Sequence, residues 1–125
     1  MIAFLRAEIG GDVVRKALLS PTSTCFAHAI NLSEVYYDSL RLAGQREADK
    51  WVNDLLRIGI GYRAGMTLQF MRSMAMLKAD HKRISLADCC GLTLARELNG
   101  EFFTAGRHEL ESLAAKGDYK IRFIR

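Results

Sequence analysis

Two acidic residues follow helix-capping residues at the same spacing. Asn31-Leu-Ser-Glu34 and Ser85-Leu-Ala-Asp88 each place a carboxylate three residues after a good N-cap residue. Each acid can therefore stabilise its own helix, because a helix N-terminus favours negative charge. Ionised carboxylates are also the oxygen ligands that Mg²⁺ prefers. Capping and metal binding are compatible, and the residues alone leave both open.

Histidine and cysteine chemistry is less well supported. His28 lies in an apolar run, where a lone histidine is more often a hydrogen-bonded core group than a catalytic base. Cys25 is interpreted as core filler. Cys89 and Cys90 are neighbours within a helical pattern and show no metal-ligand spacing. An odd number of cysteines and no disulfide framework indicate a reducing cytoplasm.

Composition predicts a single globular domain over residues 1–125. Half of the 125 residues are hydrophobic and 26% are charged. No apolar run approaches the roughly 18 residues needed to span a membrane, and no secretory leader is visible, so we expect a soluble cytoplasmic protein. A net charge of +4 mildly favours a polyanionic partner.

Hydrophobic periodicity predicts helices alternating with strands. Helices are expected where apolar residues recur at helical spacing, and glycines are expected to end two of them. This order predicts an α/β sandwich around a largely parallel sheet. The predicted elements are two short helices within residues 1–19, a strand over Thr24–Ile30, helices from Asn31 to Gly44 and onward to Gly59, a strand over Ile60–Ala64, helices over Thr67–His81 and Ser85–Asn99, a strand over Glu101–Ala105, a helix over His108–Lys116 and a strand over Tyr119–Ile124.

Three segments together resemble the PIN-domain family, and most closely the VapC-type toxins of toxin–antitoxin pairs. They are Ala29-Ile-Asn-Leu-Ser-Glu34-Val-Tyr-Tyr, Ile84-Ser-Leu-Ala-Asp88 and Phe102-Phe-Thr104-Ala-Gly106-Arg, in the family's order and separations. The resemblance implies a PIN-like three-layer α/β/α sandwich with a mostly parallel sheet. It also implies an endoribonuclease dependent on Mg²⁺ or Mn²⁺ that forms a homodimer and is inhibited by an antitoxin protein.

The resemblance also implies roles for individual residues. Glu34 and Asp88 would be catalytic metal ligands, and we expect them to converge on one divalent cation. The stretch that contains Thr104 would line the same site, and Gly106, Asn31 and Ser85 are further expected lining residues. The residues expected to contact RNA are Arg83, Lys82 and Arg107, although ordinary solvated charge is the favoured alternative for such cations.

Two departures from the family pattern predict weakened or lost catalysis. The family's central first strand, which ends in an aspartate, has no counterpart before Met1, so the domain is expected to be N-terminally truncated or the native chain to start upstream. Gly106 stands where the family has its fourth acid. Glu109 and Glu111 could partly substitute, but solvated surface acids are the favoured interpretation. The alternative function is a non-catalytic PIN-like module that binds an antitoxin or RNA.

An absent central strand also predicts how the chain assembles. The two flanking strands, near Thr24–Ile30 and Glu101–Ala105, would be left with unpaired backbone groups, which are costly when buried. We expect the gap to be closed by pairing these strands with each other or by a partner subunit in an obligate dimer.

Overall fold

The computed structural model describes all residues from Met1 to Arg125, and the chain divides into two compact units, Met1–Ala64 and Gly65–Arg125. The prediction of one domain over residues 1–125 stays a prediction. The first unit contains α1 (Ile2–Leu5), α2 (Gly11–Leu19), β1 (Phe26–His28), α3 (Ala29–Ala43), α4 (Gln45–Arg57) and β2 (Gly61–Arg63). The second contains α5 (Leu68–Asp80), α6 (Leu86–Glu97), β3 (Phe102–Thr104), α7 (Arg107–Lys116) and β4 (Ile121–Phe123).

Parallel strand pairing confirms the predicted α/β class. In the first unit β1 pairs with β2, with Phe26 opposite Gly61. In the second unit β3 pairs with β4, with Phe102 opposite Ile121. The strands are three residues long, shorter than predicted, and they form two separate sheets. Of the two expected ways of closing the gap, the pairing of β1 with β3 is wrong, because each strand is hydrogen-bonded within its own unit. Closure by a partner subunit in an obligate dimer stays a prediction.

The start of α3 corrects one of the two predicted capping boxes. His28 has extended backbone angles, and its Nδ1 accepts a hydrogen bond of 3.2 Å from the Ile30 N–H. The helix therefore begins at Ala29, two residues before the predicted Asn31, and Asn31 and Glu34 lie inside it. The predicted N-cap role of Asn31 is wrong because a buried histidine supplies the cap instead. The expectation that His28 is a hydrogen-bonded core group is confirmed.

Glycine geometry ends α3 and α4 where the sequence predicted. Gly44 has a φ of +84° and Gly59 a φ of +102°, a region that residues with a side chain rarely adopt. The core of this unit contains Ala27, Leu32, Val35, Leu55 and Ile60. It forms where α3 and α4 pack together.

Ser39 is the one buried polar side chain without a hydrogen-bond partner. It is fully buried on α3, and its Oγ atom makes no hydrogen bond. An unsatisfied buried hydroxyl costs free energy, so Ser39→Ala is expected to raise the free energy of unfolding by about 1 kcal/mol in urea denaturation. Ser33→Ala is the matched control, since the exposed Ser33 Oγ donates to the Ile30 carbonyl on the same helix. A loss of stability in Ser39→Ala would contradict this assignment.

The core of the second unit is built on α6. Cys89, Cys90 and Leu92 are fully buried on this helix, and Leu110 and Leu113 are buried on α7. The cysteines are free, as expected, and burial raises the pKa of Cys90 to about 11, which keeps it in the unreactive thiol form.

Two further expectations from the sequence concern the packing of Cys25 and the presence of membrane-spanning helices. Cys25 packs against the core of the first unit, in agreement with its interpretation as filler. None of the helices combines the length and the apolar character that crossing a bilayer requires.

Candidate functional site

Ser85 caps α6 and holds the Asp88 carboxylate. The Ser85 Oγ accepts a hydrogen bond of 3.0 Å from the Asp88 N–H and donates one of 2.8 Å to Asp88 Oδ2. This confirms the predicted cap at Ser85. The carboxylate is turned back toward the cap hydroxyl, so its orientation is set by a local interaction within four residues.

Lys78 organises the loop that leads to this cap. Its Nζ donates to the carbonyl oxygens of Lys82 at 2.8 Å and Ile84 at 2.6 Å. A lysine that satisfies two loop carbonyls is committed to structure, and it stabilises the segment immediately before Ser85. Lys82 and Arg83 lie in this loop with exposed side chains.

Thr104 and Gly106 form the turn between β3 and α7. Thr104 is buried, and its Oγ1 accepts a hydrogen bond of 3.0 Å from the Gly106 N–H. A Cβ atom added to Gly106 would lie 3.3 Å from Glu109 Oε2 and 3.3 Å from Thr104 Oγ1. The Glu109 carboxylate therefore lies beside the position from which a side chain at residue 106 would extend.

Burial and Glu109 together shape the electrostatics of Asp88. Burial raises the pKa of Asp88, the hydrogen bond from Ser85 partly opposes this, and the negative charge of Glu109 raises it further. The negative charge of Glu109 acting on the Asp88 carboxylate makes a cation favourable beside them. Asp88 and Glu109 are called the acid pair below.

Glu109 and Glu111 are both exposed on α7, as expected of solvated surface acids, but their neighbours differ. Glu111 Oε1 lies 3.9 Å from Arg107 Nη1, whereas Glu109 approaches Gly106 and influences Asp88. The sequence feature that could have indicated this is the position of Glu109, three residues after the helix cap and therefore over the first turn of α7.

The other predicted ligand belongs to the first unit. Glu34 and Asn31 lie on α3, within Met1–Ala64, whereas Ser85, Asp88, Thr104 and Gly106 lie in the second unit. Hydrogen bonds join Ser85 to Asp88 and Thr104 to Gly106, and the charge of Glu109, which lies beside Gly106, links the second of these pairs to Asp88. The convergence of Glu34 and Asp88 on one cation stays a prediction.

The acid pair fits a weakly held, hydrated Mg²⁺ or Mn²⁺ better than an enclosed ion. Its donors are carboxylate oxygens, the type that Mg²⁺ prefers, and Mg²⁺ commonly uses one or two protein carboxylates and completes its shell with water and phosphate. No group of three or more Asp, Glu, His or Cys side chains is arranged to hold a metal. Asp88 and Glu109 would hold such an ion.

Two arginines near the β3–β4 sheet stack on aromatic rings. The Arg107 guanidinium lies 4.4 Å from the centroid of Phe123. The Arg122 guanidinium lies 5.5 Å from the centroid of Phe103, and its Nε contacts Glu101 Oε2 at 2.9 Å. Arg122 is thus closely paired with a carboxylate, whereas Arg107 forms a longer ion pair of 3.9 Å with Glu111.

A groove of about 810 Å³ lies elsewhere in the second unit. Its lining carries both signs of charge, with Asp80, Glu97 and Asp118 opposed by Arg96 and Lys116. Neither member of the acid pair lines it. The groove is therefore separate from the candidate site.

Comparison with known proteins supports the fold. No protein-family model matches the sequence, and no curated protein matches it. A chain in the solved structure of VapBC-1 from nontypeable Haemophilus influenzae is similar over 93% of this chain and 84% of that chain, with a TM-score of 0.65 and 15% sequence identity. At this identity the similarity concerns the fold. The chain has an α/β fold like that of the VapBC-1 structure, in agreement with the PIN-like fold predicted from sequence.

Proposed function

We propose that this chain is a PIN-like protein of the toxin class of toxin–antitoxin pairs, and that it is a Mg²⁺- or Mn²⁺-dependent endoribonuclease with weak activity. The fold similarity to VapBC-1 supports the class. The observation that carries the catalytic part is the acid pair, in which Glu109 lies beside Gly106 and acts on the Asp88 carboxylate.

Each residue of the site has a distinct part in this proposal. A bound divalent cation would neutralise charge on the phosphate and make a water molecule easier to deprotonate. Ser85 orients the Asp88 carboxylate, and Thr104 fixes the turn from which α7 presents Glu109. Because the pKa of Asp88 is raised, protons compete with the cation for this carboxylate, and cation affinity should fall as the pH falls. Because the acid pair supplies only two carboxylates, cation binding is expected to be weak and RNA cleavage slow.

Glu109→Gln is expected to reduce cleavage of a fluorogenic single-stranded RNA in Mn²⁺ by about tenfold or more, because it removes half of the acid pair. Glu111→Gln is the matched control on the same helix, and it should not reduce cleavage, because Glu111 lies beside Arg107 and outside the acid pair. Equal effects of the two substitutions would contradict the role of Glu109.

Gly106→Asp tests the same site by adding a carboxylate. The backbone of Gly106 has a φ of −77°, which any residue adopts, and a new Cβ would require small shifts of the flexible Glu109 end and of the Thr104 hydroxyl. Cleavage should rise in this variant. If RNA is bound but cut by neither the wild type nor Gly106→Asp, the catalytic proposal is wrong.

The second candidate is a non-catalytic module that binds an antitoxin or RNA. Exposed apolar side chains in the first unit favour a protein partner, with Ile9 80% and Leu19 70% exposed and Tyr37 and Leu42 more than half exposed. The homodimer and the antitoxin complex belong to this proposal. RNA binding without cleavage in Mn²⁺, together with a stable complex with a second copy or an antitoxin in sedimentation, would favour this candidate.

A further inference from the structure

We propose that Arg107, whose guanidinium lies over the Phe123 ring, binds an RNA phosphate next to the acid pair. The inference rests on the proposed function, since it names how the same site holds its substrate. It adds Phe123, which no sequence pattern indicated, as the residue that positions the arginine.

Strand register places Arg107 on the side of the sheet that carries Thr104. Thr104 and Phe123 are opposite each other in the parallel β3–β4 pair, so their side chains project from the same face. Arg107 directly follows Gly106 and stacks on Phe123. The guanidinium is thereby tied to the face from which the Thr104 hydroxyl reaches the Gly106 turn.

Helix energetics do not account for an arginine at this position. Arg107 is the first residue of α7, where the partial positive charge of the helix N-terminus disfavours a cation. Its acidic neighbour Glu111 is 3.9 Å away, both side chains are more than half exposed, and the order with the cation N-terminal to the acid is the less favourable one. Stacking on Phe123 covers one face of the guanidinium and leaves its edge N–H groups free for a phosphate.

Arg122 supplies an internal comparison. It is adjacent to Phe123 in β4, so its side chain projects from the opposite face of the sheet. It is opposite Phe103 in register, stacks on that ring and is paired with Glu101. An arginine already neutralised by a carboxylate releases no counterion from RNA, so Arg122 is expected to contribute little.

The test is the salt dependence of RNA binding by the full chain. Fluorescence anisotropy of a labelled single-stranded RNA is measured in EDTA at several KCl concentrations, which separates binding from cleavage. Arg107→Gln should weaken binding several-fold and reduce the slope of log K against log salt by about 0.7, the loss of one phosphate contact. Arg122→Gln should leave the slope unchanged. Phe123→Leu should also weaken binding, but it should change the slope less than Arg107→Gln does. The positive charge of Arg107 remains in this variant, and only its orientation is lost.

The outcomes separate this inference from the proposed function. If the wild type, Arg107→Gln and Arg122→Gln all bind RNA with the same slope, the role of Arg107 is overturned. Glu109-dependent cleavage would then still support the nuclease. A wild-type chain that binds no RNA would overturn both. A slope reduced by Arg107→Gln alone, in a variant with an unchanged melting temperature, is the result expected.

Discussion

Asp88→Asn is expected to raise the melting temperature at neutral pH and, in the same variant, to weaken Mn²⁺ binding by more than tenfold. Burial and Glu109 raise the pKa of Asp88, so the ionised carboxylate is disfavoured in the folded chain. A carboxyl group whose pKa is raised by folding stabilises the folded state fully below its unfolded pKa. This stabilisation is lost as the pH rises through its folded pKa. At neutral pH the wild type therefore has a cost that asparagine avoids.

The stability difference between Asp88→Asn and the wild type is expected to depend on pH. The stability advantage of Asp88→Asn should shrink as the pH falls toward the ordinary aspartate value of 3.8, because the wild-type carboxyl then becomes protonated. Thermal melts across this range and Mn²⁺ titration calorimetry at neutral pH are the measurements. Asp118→Asn, in the exposed segment after α7, is the control. If Asp88→Asn melts at a lower temperature and binds Mn²⁺ normally, Asp88 is a helix cap and nothing more.

Gly91→Ala is expected to reduce the free energy of unfolding by about 1–3 kcal/mol, as overpacking of a core does. Gly91 lies on α6 directly against the Phe102 ring of β3. An added Cβ would overlap Phe102 Cε2 and lie 3.1 Å from Cζ and 3.2 Å from Cδ2. Either the half-buried ring must move or the helix and the strand must separate. Such a separation would also move Asp88 relative to Thr104 and lower any cleavage.

Two comparisons make the Gly91 prediction specific. Gly100→Ala should be nearly neutral, since its Cβ would meet only the Ala95 carbonyl oxygen at an ordinary 3.7 Å. Phe102→Leu combined with Gly91→Ala should cost less than the sum of the two single changes, because the smaller side chain relieves the clash. Additive costs in urea denaturation would show that the ring does not limit the approach of α6.

Local interactions explain why much of the fold was predictable. The caps at Thr67 and Ser85 join groups within three residues, and the positive φ at Gly44 and Gly59 depends on the lack of a side chain. Such signals operate before any tertiary contact forms. They predicted the ends of α3 and α4 and the caps of α5 and α6 from sequence alone, although not the start of α3, and the alternation of helices and strands predicted the α/β class.

Tertiary structure decided the features that depend on contacts across elements. His28 begins α3 early because its imidazole, buried among neighbouring elements, takes the cap that Asn31 was expected to provide. The Lys78 side chain is committed to the loop carbonyls of Lys82 and Ile84. These hydrogen bonds join residues close in sequence, but spacing alone does not select them, because each depends on which polar groups folding removes from water.

In the candidate site too, some features follow from the sequence and others only from the tertiary structure. The sequence by itself determined Ser85 and Asp88, whose hydrogen bonds lie within one helix turn. Only the tertiary structure brought Glu109 near Asp88 and laid Arg107 on Phe123, because these contacts depend on the turn after β3 and on the β3–β4 register. Strand register is set by the packing of whole elements, so residues far apart in sequence meet only after the sheet has formed.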